Sequence, residues 1–384
     1  MAERTYLDWN ATARLRPQAR AAMVAALDVV GNPSSVHAEG RAARRLIDEA
    51  RRDVAALVGA EPADVVFTSG GTEANATALC PAGGADALLA SAIEHPSVLA
   101  GGRFAARDVV LVPVGPAGIV DLAALERQLA GLARDGRRAL VSLMHANNET
   151  GVVQPVAAAA AIVHAAGGLL HADAVQTTGR IPCDIKALGA DFLTISAHKL
   201  GGPKGVGALV RGSAVAWPAP LIRGGGQERG SRAGTENVAA IAGLGAAAAA
   251  AAQDLAADGQ RLAALRDRLE AELKVAFPQT VIFGEAAERL PNTTLFALPR
   301  VKAETAVIGL DLAGVAVSSG AACSSGKVAA SHVLAAMHVP ANLARGAVRV
   351  SLGYATQEAD IERFLAAWRT LAEILSNESR GMAA

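Results

Sequence analysis

The sequence predicts a mixed α/β fold in which a large domain, built on a mainly parallel seven-stranded sheet, is joined to a smaller α+β domain. Two observations support this fold class. Seven short apolar segments alternate with longer stretches rich in alanine, leucine and arginine, which is the pattern of a parallel α/β sheet. The chain has 384 residues, about twice the length of a typical domain, so a second unit is expected.

The predicted strands are apolar runs, and each ends near polar residues. They are residues 64–68, 87–90, 109–113, 139–144, 169–173, 191–196 and 206–210. In open α/β sheets, ligands bind beyond the carboxyl ends of the strands. We therefore expect the residues that follow these strands to form a binding site.

The C-terminal third has the pattern of an α+β unit. Residues 261–277 have the period of an amphipathic helix, residues 292–298 resemble a strand, and residues 357–376 again have helical period. No internal repeat and no Ser/Pro-rich linker separates this region from the first, so we place the boundary near residue 255, within a long shared helix. The predicted large domain is 13–255, and the small domain combines 1–12 with 256–384.

Composition and charge exclude several classes of protein. The formal net charge is zero, with 36 basic and 36 acidic residues, which argues against a nucleic-acid or anionic-membrane partner. The N-terminus has no apolar signal core, and the run at 238–252 is too weakly hydrophobic for a membrane span. Three widely spaced cysteines, Cys80, Cys183 and Cys323, form neither a disulfide framework nor a zinc-site pattern. These features favour a reducing, cytoplasmic setting.

Lys199 ends the segment Ser196-Ala197-His198-Lys199, which follows a predicted strand and precedes a glycine-rich turn. Desolvation at such a position favours the neutral, nucleophilic amine. This is the setting of a lysine that forms a Schiff base. The alternative is a surface lysine in a glycine turn.

Residues 69–75 also follow a strand, and they open a helix. The backbone N–H groups around Gly71 and the hydroxyl of Thr72 would form an anion site suited to a phosphate. The alternative is an ordinary glycine turn with a threonine cap. Neither this segment nor residues 202–205 match the Walker pattern, which disfavours nucleotide hydrolysis.

Asp173 and His95 are the other strand-end candidates. An aspartate at the end of the apolar strand 169–173 is costly without a cationic partner, and a protonated pyridine nitrogen would be one. His95 is placed to lie on an aromatic cofactor and to transfer protons near neutral pH, although a single strand-end histidine is more often structural.

Together these residues resemble the fold-type I enzymes that use pyridoxal 5'-phosphate, and within them the class V group that includes the NifS/IscS-type cysteine desulfurases. The match covers nearly the whole chain, in the family's order. The matching segments are 6–12, 31–37, 67–73, 94–95, 144–149, 171–176, 196–199 and 224–229.

The resemblance implies a role for each cofactor contact. Lys199 would hold pyridoxal 5'-phosphate and move the Cα proton of the substrate, and Asp173 would pair with the pyridine nitrogen. Contacts to the phenolic oxygen and the substrate side of the ring would come from Gln176 and Asn148. The phosphate would be held by Gly71, Thr72, Ser196 and His198, and by Thr235 of a neighbouring subunit, so that the active enzyme is a homodimer.

The segment 318–326 carries the feature that separates a desulfurase from an aminotransferase. It resembles the family's cysteine loop, with Ala321 in place of a serine, and small residues flank Cys323 on both sides. A mobile loop at about 318–330 would let Cys323 attack the substrate sulfur and carry it away as a persulfide, while His95 assists proton transfer. The alternative is a surface loop with an incidental thiol. Cys80 and Cys183, which lie among apolar residues, are expected to be packing residues.

Arg349 corresponds to the family arginine that binds the substrate carboxylate. The expected reaction converts L-cysteine to L-alanine and supplies sulfur to an iron–sulfur scaffold protein. Tyr354 stands where some relatives carry a further arginine, and the short C-terminus favours nitrogenase cluster assembly. Three alternatives remain: a selenocysteine lyase, another class V enzyme such as an aminotransferase, or a non-catalytic assembly protein.

Overall fold

The structure is a computed structural model that describes residues 4–81, 84–320 and 331–381. Its strands, in chain order, are β1 Thr5–Tyr6, β2 Val65–Thr68, β3 Ala87–Ser91, β4 Val109–Val112, β5 Ala139–Ser142, β6 Leu169–Asp173, β7 Phe192–Ser196, β8 Gly207–Arg211, β9 Val281–Ile282, β10 Thr293–Ala297, β11 Val315–Ala316, β12 Ser318–Ser319 and β13 Val348–Ser351. Its helices are α1 Pro17–Leu27, α2 Ala38–Leu57, α3 Gly71–Ala78, α4 Pro96–Leu99, α5 Leu122–Arg134, α6 Val156–Ala165, α7 Ile185–Leu188, α8 Ala197–Leu200, α9 Val238–Ala276, α10 Ala303–Leu312, α11 His332–Ala336, α12 Ala341–Ala344 and α13 Glu358–Gly381.

The large sheet contains the seven predicted strands, in the spatial order β2-β8-β7-β6-β5-β3-β4. Strand β8 runs antiparallel to both of its neighbours, and the other strands run in a common direction. This confirms the predicted α/β class and the mainly parallel sheet. Because the parallel strands end at one edge, the polar residues that follow them are brought together there.

The second sheet is antiparallel, with the order β12-β13-β10-β9. The N-terminal strand β1 pairs with β11, so that Thr5 lies opposite Val315 and the start of the chain belongs to this region. Phe296 and Trp368 pack edge to face in its core, with ring centroids 4.9 Å apart. The predicted strand at 292–298 and the predicted C-terminal helix are both confirmed as β10 and α13.

Helix α9 is shared by the two hydrophobic cores. Its N-terminal half packs Leu244 into the core of the large sheet, while its C-terminal half packs Leu269 into the core of the second sheet. Within the described residues this helix alone is long and apolar enough to cross a membrane, but 56% of its most apolar window is buried inside the protein. Such burial is typical of a core helix, as the sequence predicted.

Candidate active site

A cavity of roughly 730 Å³ lies at the carboxyl ends of the large sheet. It is bounded by the strand-end segments, by the N-terminal residues 8–12, and by Arg349 of β13. Most of the predicted site residues line it, namely Gly71, Thr72, His95, Asn148, Asp173, Gln176, Ser196, His198, Lys199 and Arg349. The strands therefore bring together residues that are up to 278 positions apart in the chain, from Gly71 to Arg349.

Lys199 lies in α8, directly after β7, and its amine points into this cavity. The Nζ atom donates to the backbone oxygens of Asn10, at 2.5 Å, and Ala11, at 2.9 Å. Burial, assisted by the positive charges of Arg349 and Arg180, lowers the pKa of the Lys199 amine to about 7. A large fraction of the amine is therefore neutral near pH 7 and able to act as a nucleophile.

Asp173 ends β6 and is 5% exposed. One carboxylate oxygen accepts from Asn75 Nδ2 at 2.8 Å and the other from Val175 N at 3.0 Å. Among the described residues no arginine, lysine or histidine forms an ion pair with it. A buried carboxylate without a cationic partner is costly, so the site suits a protonated pyridine nitrogen. Asn75, which holds this carboxylate, was not predicted as a site residue.

The loop before α3 forms a cradle with little free space. A Cβ atom on Gly71 would lie 2.9 Å from Val175 Cγ2, and one on Gly207 of β8 would lie 2.7 Å from the carbonyl carbon of Gly70. Only glycine allows the backbone to approach this closely. The α3 N-terminus, with the Thr72 and Ser196 hydroxyls beside it, suits a phosphate group.

His198 lies beside the same cradle, and its Nδ1 is 3.1 Å from Thr12 Oγ1. Burial, assisted by the charges of Lys199 and Lys204, lowers the pKa of His198 to about 4. The imidazole is therefore neutral at physiological pH. It can hold a phosphate through a hydrogen bond but does not contribute a positive charge.

His95 precedes α4 and caps it. Its Nδ1 accepts from the backbone N of Ser97 at 3.1 Å, which places the proton of the neutral ring on Nε2. Burial lowers the pKa of His95, and the carboxylate of Asp173 opposes that change. The neighbouring Glu94 anchors the turn, because its Oε1 accepts from Met144 N at 2.6 Å. His95 therefore lines the cavity with Nδ1 already accepting from Ser97, and its other ring nitrogen, Nε2, is a hydrogen-bond donor.

Arg349 is 3% exposed and lies in β13. Its Nη1 donates to the backbone oxygen of Asn148 at 2.9 Å, and its Nη2 donates to Asp8 Oδ1 at 2.8 Å. The guanidinium is therefore already oriented by a carboxylate of the same chain. A substrate carboxylate would share it with Asp8, a contact that the sequence did not predict.

Gln176 lies in the turn after β6 and is 5% exposed. Its Nε2 donates to the backbone oxygen of Asn10 at 3.1 Å, and its Oε1 accepts from Arg180 Nη1 at 2.5 Å. Asn10 is 1% exposed and also accepts from Lys199, so it joins the N-terminal segment to both predicted residues. Asn10 and Arg180 were not predicted as site residues.

One predicted residue, Thr235, is exposed and does not line the cavity of this chain. The predicted nucleophile Cys323 lies outside the described residues. The two cysteines expected to be packing residues, Cys80 and Cys183, are both buried. Burial raises the pKa of Cys183 to about 11, so this thiol is unreactive near neutral pH.

Comparison with known proteins relates this site to one family. Residues 5–364 match the family described as Aminotransferase class-V. A cysteine desulfurase of Cereibacter sphaeroides is 47% identical over 94% of this chain and 94% of its own length. The cysteine desulfurase IscS of Dictyoglomus turgidum is 40% identical over 94% of this chain and 92% of its own. In structure, the NifS-like protein of Rickettsia africae superposes with a TM-score of 0.88 at 37% identity, covering 97% of this chain and all of that one.

Proposed function

This chain belongs to the class V aminotransferase family, and from that premise we propose that it is a cysteine desulfurase that uses pyridoxal 5'-phosphate. The reaction converts L-cysteine to L-alanine and transfers the sulfur to a cysteine of the enzyme. The observation that carries the proposal is the placement of Lys199 and the unpaired carboxylate of Asp173 in one cavity, in a chain that matches named cysteine desulfurases over nearly its full length.

Different residues of the cavity bind different parts of pyridoxal phosphate. Bound pyridoxal phosphate supplies an electron sink that weakens bonds at the substrate's Cα and Cβ atoms. Lys199 holds it covalently through Nζ, and Asp173 pairs with its pyridine nitrogen. The groups that hold its phosphate are Gly71, Thr72, Ser196 and His198, with Thr235 supplied by a neighbouring subunit. Gln176 and Asn148 donate to its phenolic oxygen and to the substrate side of the site.

Three groups act on the substrate. Arg349 binds the carboxylate of cysteine, because its guanidinium is already oriented by Asp8 and Asn148. Lys199 Nζ, freed when the substrate amine takes its place, would take the Cα proton, as its lowered pKa allows, and would return a proton to Cα before alanine leaves. His95 assists proton transfer at the substrate thiol, because an N–H donor on Nε2 can stabilise the thiolate form of the substrate sulfur. Cys323, as a thiolate, attacks the substrate sulfur; the Cβ–S bond breaks, its electron pair passes to Cβ, and protonation there gives alanine.

From the same family membership we also propose an oligomeric state, a cellular location and a sulfur acceptor for this enzyme. The active enzyme is a cytoplasmic homodimer that passes its sulfur to an iron–sulfur scaffold protein. The chain divides into a large domain at 13–255 and a small domain formed by 1–12 and 256–384, and the cysteine segment at about 318–330 belongs to the small domain. Helix α9, which spans both hydrophobic cores, supports this division.

The first test measures alanine and sulfide released from L-cysteine in the presence of a thiol reductant. Cys323→Ala should retain the visible absorbance of the bound cofactor but lose the activity. Cys80→Ala is the matched control, since Cys80 is buried outside the cavity and its removal should leave activity near the wild-type level. Undiminished activity in the Cys323 variant would indicate a lyase, such as one that acts on selenocysteine. A wild type without activity would refute the cysteine substrate.

A further inference from the structure

Arg180 lies below the cavity and contacts three segments of the candidate site. Its Nη1 donates to Gln176 Oε1 at 2.5 Å and to Asn10 Oδ1 at 2.8 Å. Its Nη2 donates to the backbone oxygens of Trp9 and Lys199, each at 3.3 Å. Arg180 does not itself line the cavity, so it acts on a bound molecule only through these neighbours.

The contact with Gln176 fixes the orientation of that amide. A guanidinium can only donate hydrogen bonds, so the oxygen of the amide must face Arg180 and the nitrogen must face the opposite side. Gln176 Nε2 carries two protons, and the backbone oxygen of Asn10 accepts one of them. The other proton is left for a ligand in the cavity. A flipped amide would place N–H groups against N–H groups and leave buried donors unpaired, which is costly.

The charge of Arg180 is not neutralised locally. Its partners are oxygens of amide groups, and among the described residues no carboxylate forms an ion pair with it. A cation placed against the Lys199 backbone disfavours a second positive charge on the amine. The other charged or titratable groups that face this amine are Arg349, Asp8, Asp173, His95 and His198.

We propose that Arg180 is a positioning residue, which sets Gln176 as a hydrogen-bond donor toward the cofactor's phenolic oxygen and biases the nitrogen of Lys199 toward its uncharged form. This inference rests on the proposed function, because it assumes that Lys199 carries pyridoxal phosphate. The charge of Arg180 and the hydrogen bond from Gln176 both disfavour a proton on the Lys199 nitrogen. Without the Arg180 charge, and without a donor at the phenolic oxygen, a proton on the Lys199 nitrogen is held more tightly.

The test is a pH titration of the visible absorbance of the holoenzyme. Arg180→Gln should raise the midpoint by about one pH unit, since a nearby charge commonly shifts a pKa by that much or more. Arg180→Lys, which keeps the charge but not the fork of donors, should raise it by less. Arg16→Gln is the matched control. Arg16 donates to Leu200, next to Lys199 in the chain, but not to Gln176, and carboxylates neutralise its charge. Its variant should keep the wild-type midpoint.

The outcomes separate this inference from the proposed function. An unchanged midpoint in coloured Arg180→Gln protein would overturn the role of Arg180, as would equal shifts in the Arg180 and Arg16 variants. If Arg180→Gln does not fold, an unchanged midpoint in Arg180→Lys would overturn it instead. A wild type that has no visible absorbance after incubation with pyridoxal phosphate would refute the proposed function, and this inference with it.

Discussion

The buried ion pair between Arg51 and Glu228 allows a quantitative test of the fold around the site. Arg51 in α2 donates to both carboxylate oxygens of Glu228 at 2.7 Å, and the backbone N of Phe67 donates to the same carboxylate at 3.0 Å. The two side chains are 5% and 1% exposed. This pair holds the segment that leads to Thr235 against β2.

Replacing Arg51 with methionine would leave the Glu228 charge buried with a single backbone donor. Breaking a buried pair in this way costs about 3–5 kcal/mol of unfolding free energy. The matched control is Arg52→Met, because Arg52 and Glu49 are 60% and 57% exposed and 4.0 Å apart. An exposed pair of this kind contributes at most about 1 kcal/mol.

The measurement is urea unfolding of the cofactor-free protein, followed by far-UV circular dichroism. The double variant Arg51→Met/Glu228→Gln should cost less than the sum of the two single changes, because no uncompensated charge remains. If the free energy of unfolding of Arg51→Met lies within about 1 kcal/mol of the wild-type value, the buried pair does not stabilise the fold as its burial indicates.

Two further predictions concern the cavity. The pKa of Lys199 is lowered to about 7, below the usual value for lysine, so in the cofactor-free protein the neutral fraction of its amine should rise with pH through about 7. The rate of acetylation of Lys199, quantified by mass spectrometry, should follow that midpoint. A midpoint above about 9 would contradict the argument that burial lowers this pKa. Gly207→Ala would place a Cβ 2.6 Å from Ile195 O, so we expect a loss of about 1–3 kcal/mol in stability together with weaker cofactor binding. The control is Gly131→Ala in α5, where no heavy atom lies within 4 Å of the added carbon, so its stability should increase by about 0.5–1 kcal/mol. The same change in stability in both variants would contradict the close packing described around Gly207.

Much of the fold could be predicted because its signals are local. Each of the seven large-sheet strands is an apolar run bounded by turn residues, and each was placed within two residues of its observed limits. The two-residue strands β1 and β11 are too short to produce a periodic signal. Helix α9 matches the predicted shared helix, and it continues unbroken through Gly243, Gly245 and Gly259, since its packing against both cores outweighs the low helix propensity of these three glycines.

Residues that line the cavity could be predicted where they lie at or directly after the end of a strand, as Asp173 and Lys199 do. Asp8, Asn10 and Arg180 were missed because their roles depend on contacts between distant parts of the chain. Asn10, for example, donates to Thr293, which is 283 positions away. No window of sequence around Asn10 carries information about that partner. The order of segments along the chain was enough for a family resemblance, but it did not indicate which residues orient those that act.

The position of the N-terminal segment also determines when the cavity can be completed during synthesis. Strand β1 needs Val315 as its partner, and Asp8 meets Arg349 across 341 positions. At ribosomal rates of about 5–20 residues per second, that separation corresponds to roughly 20–70 s in which residues 5–10 have left the ribosome without their partners. All seven strands of the large sheet lie before residue 212, so the sheet can form earlier. The part of the cavity formed by the N-terminal segment and Arg349 is therefore completed last, against a sheet that has already formed.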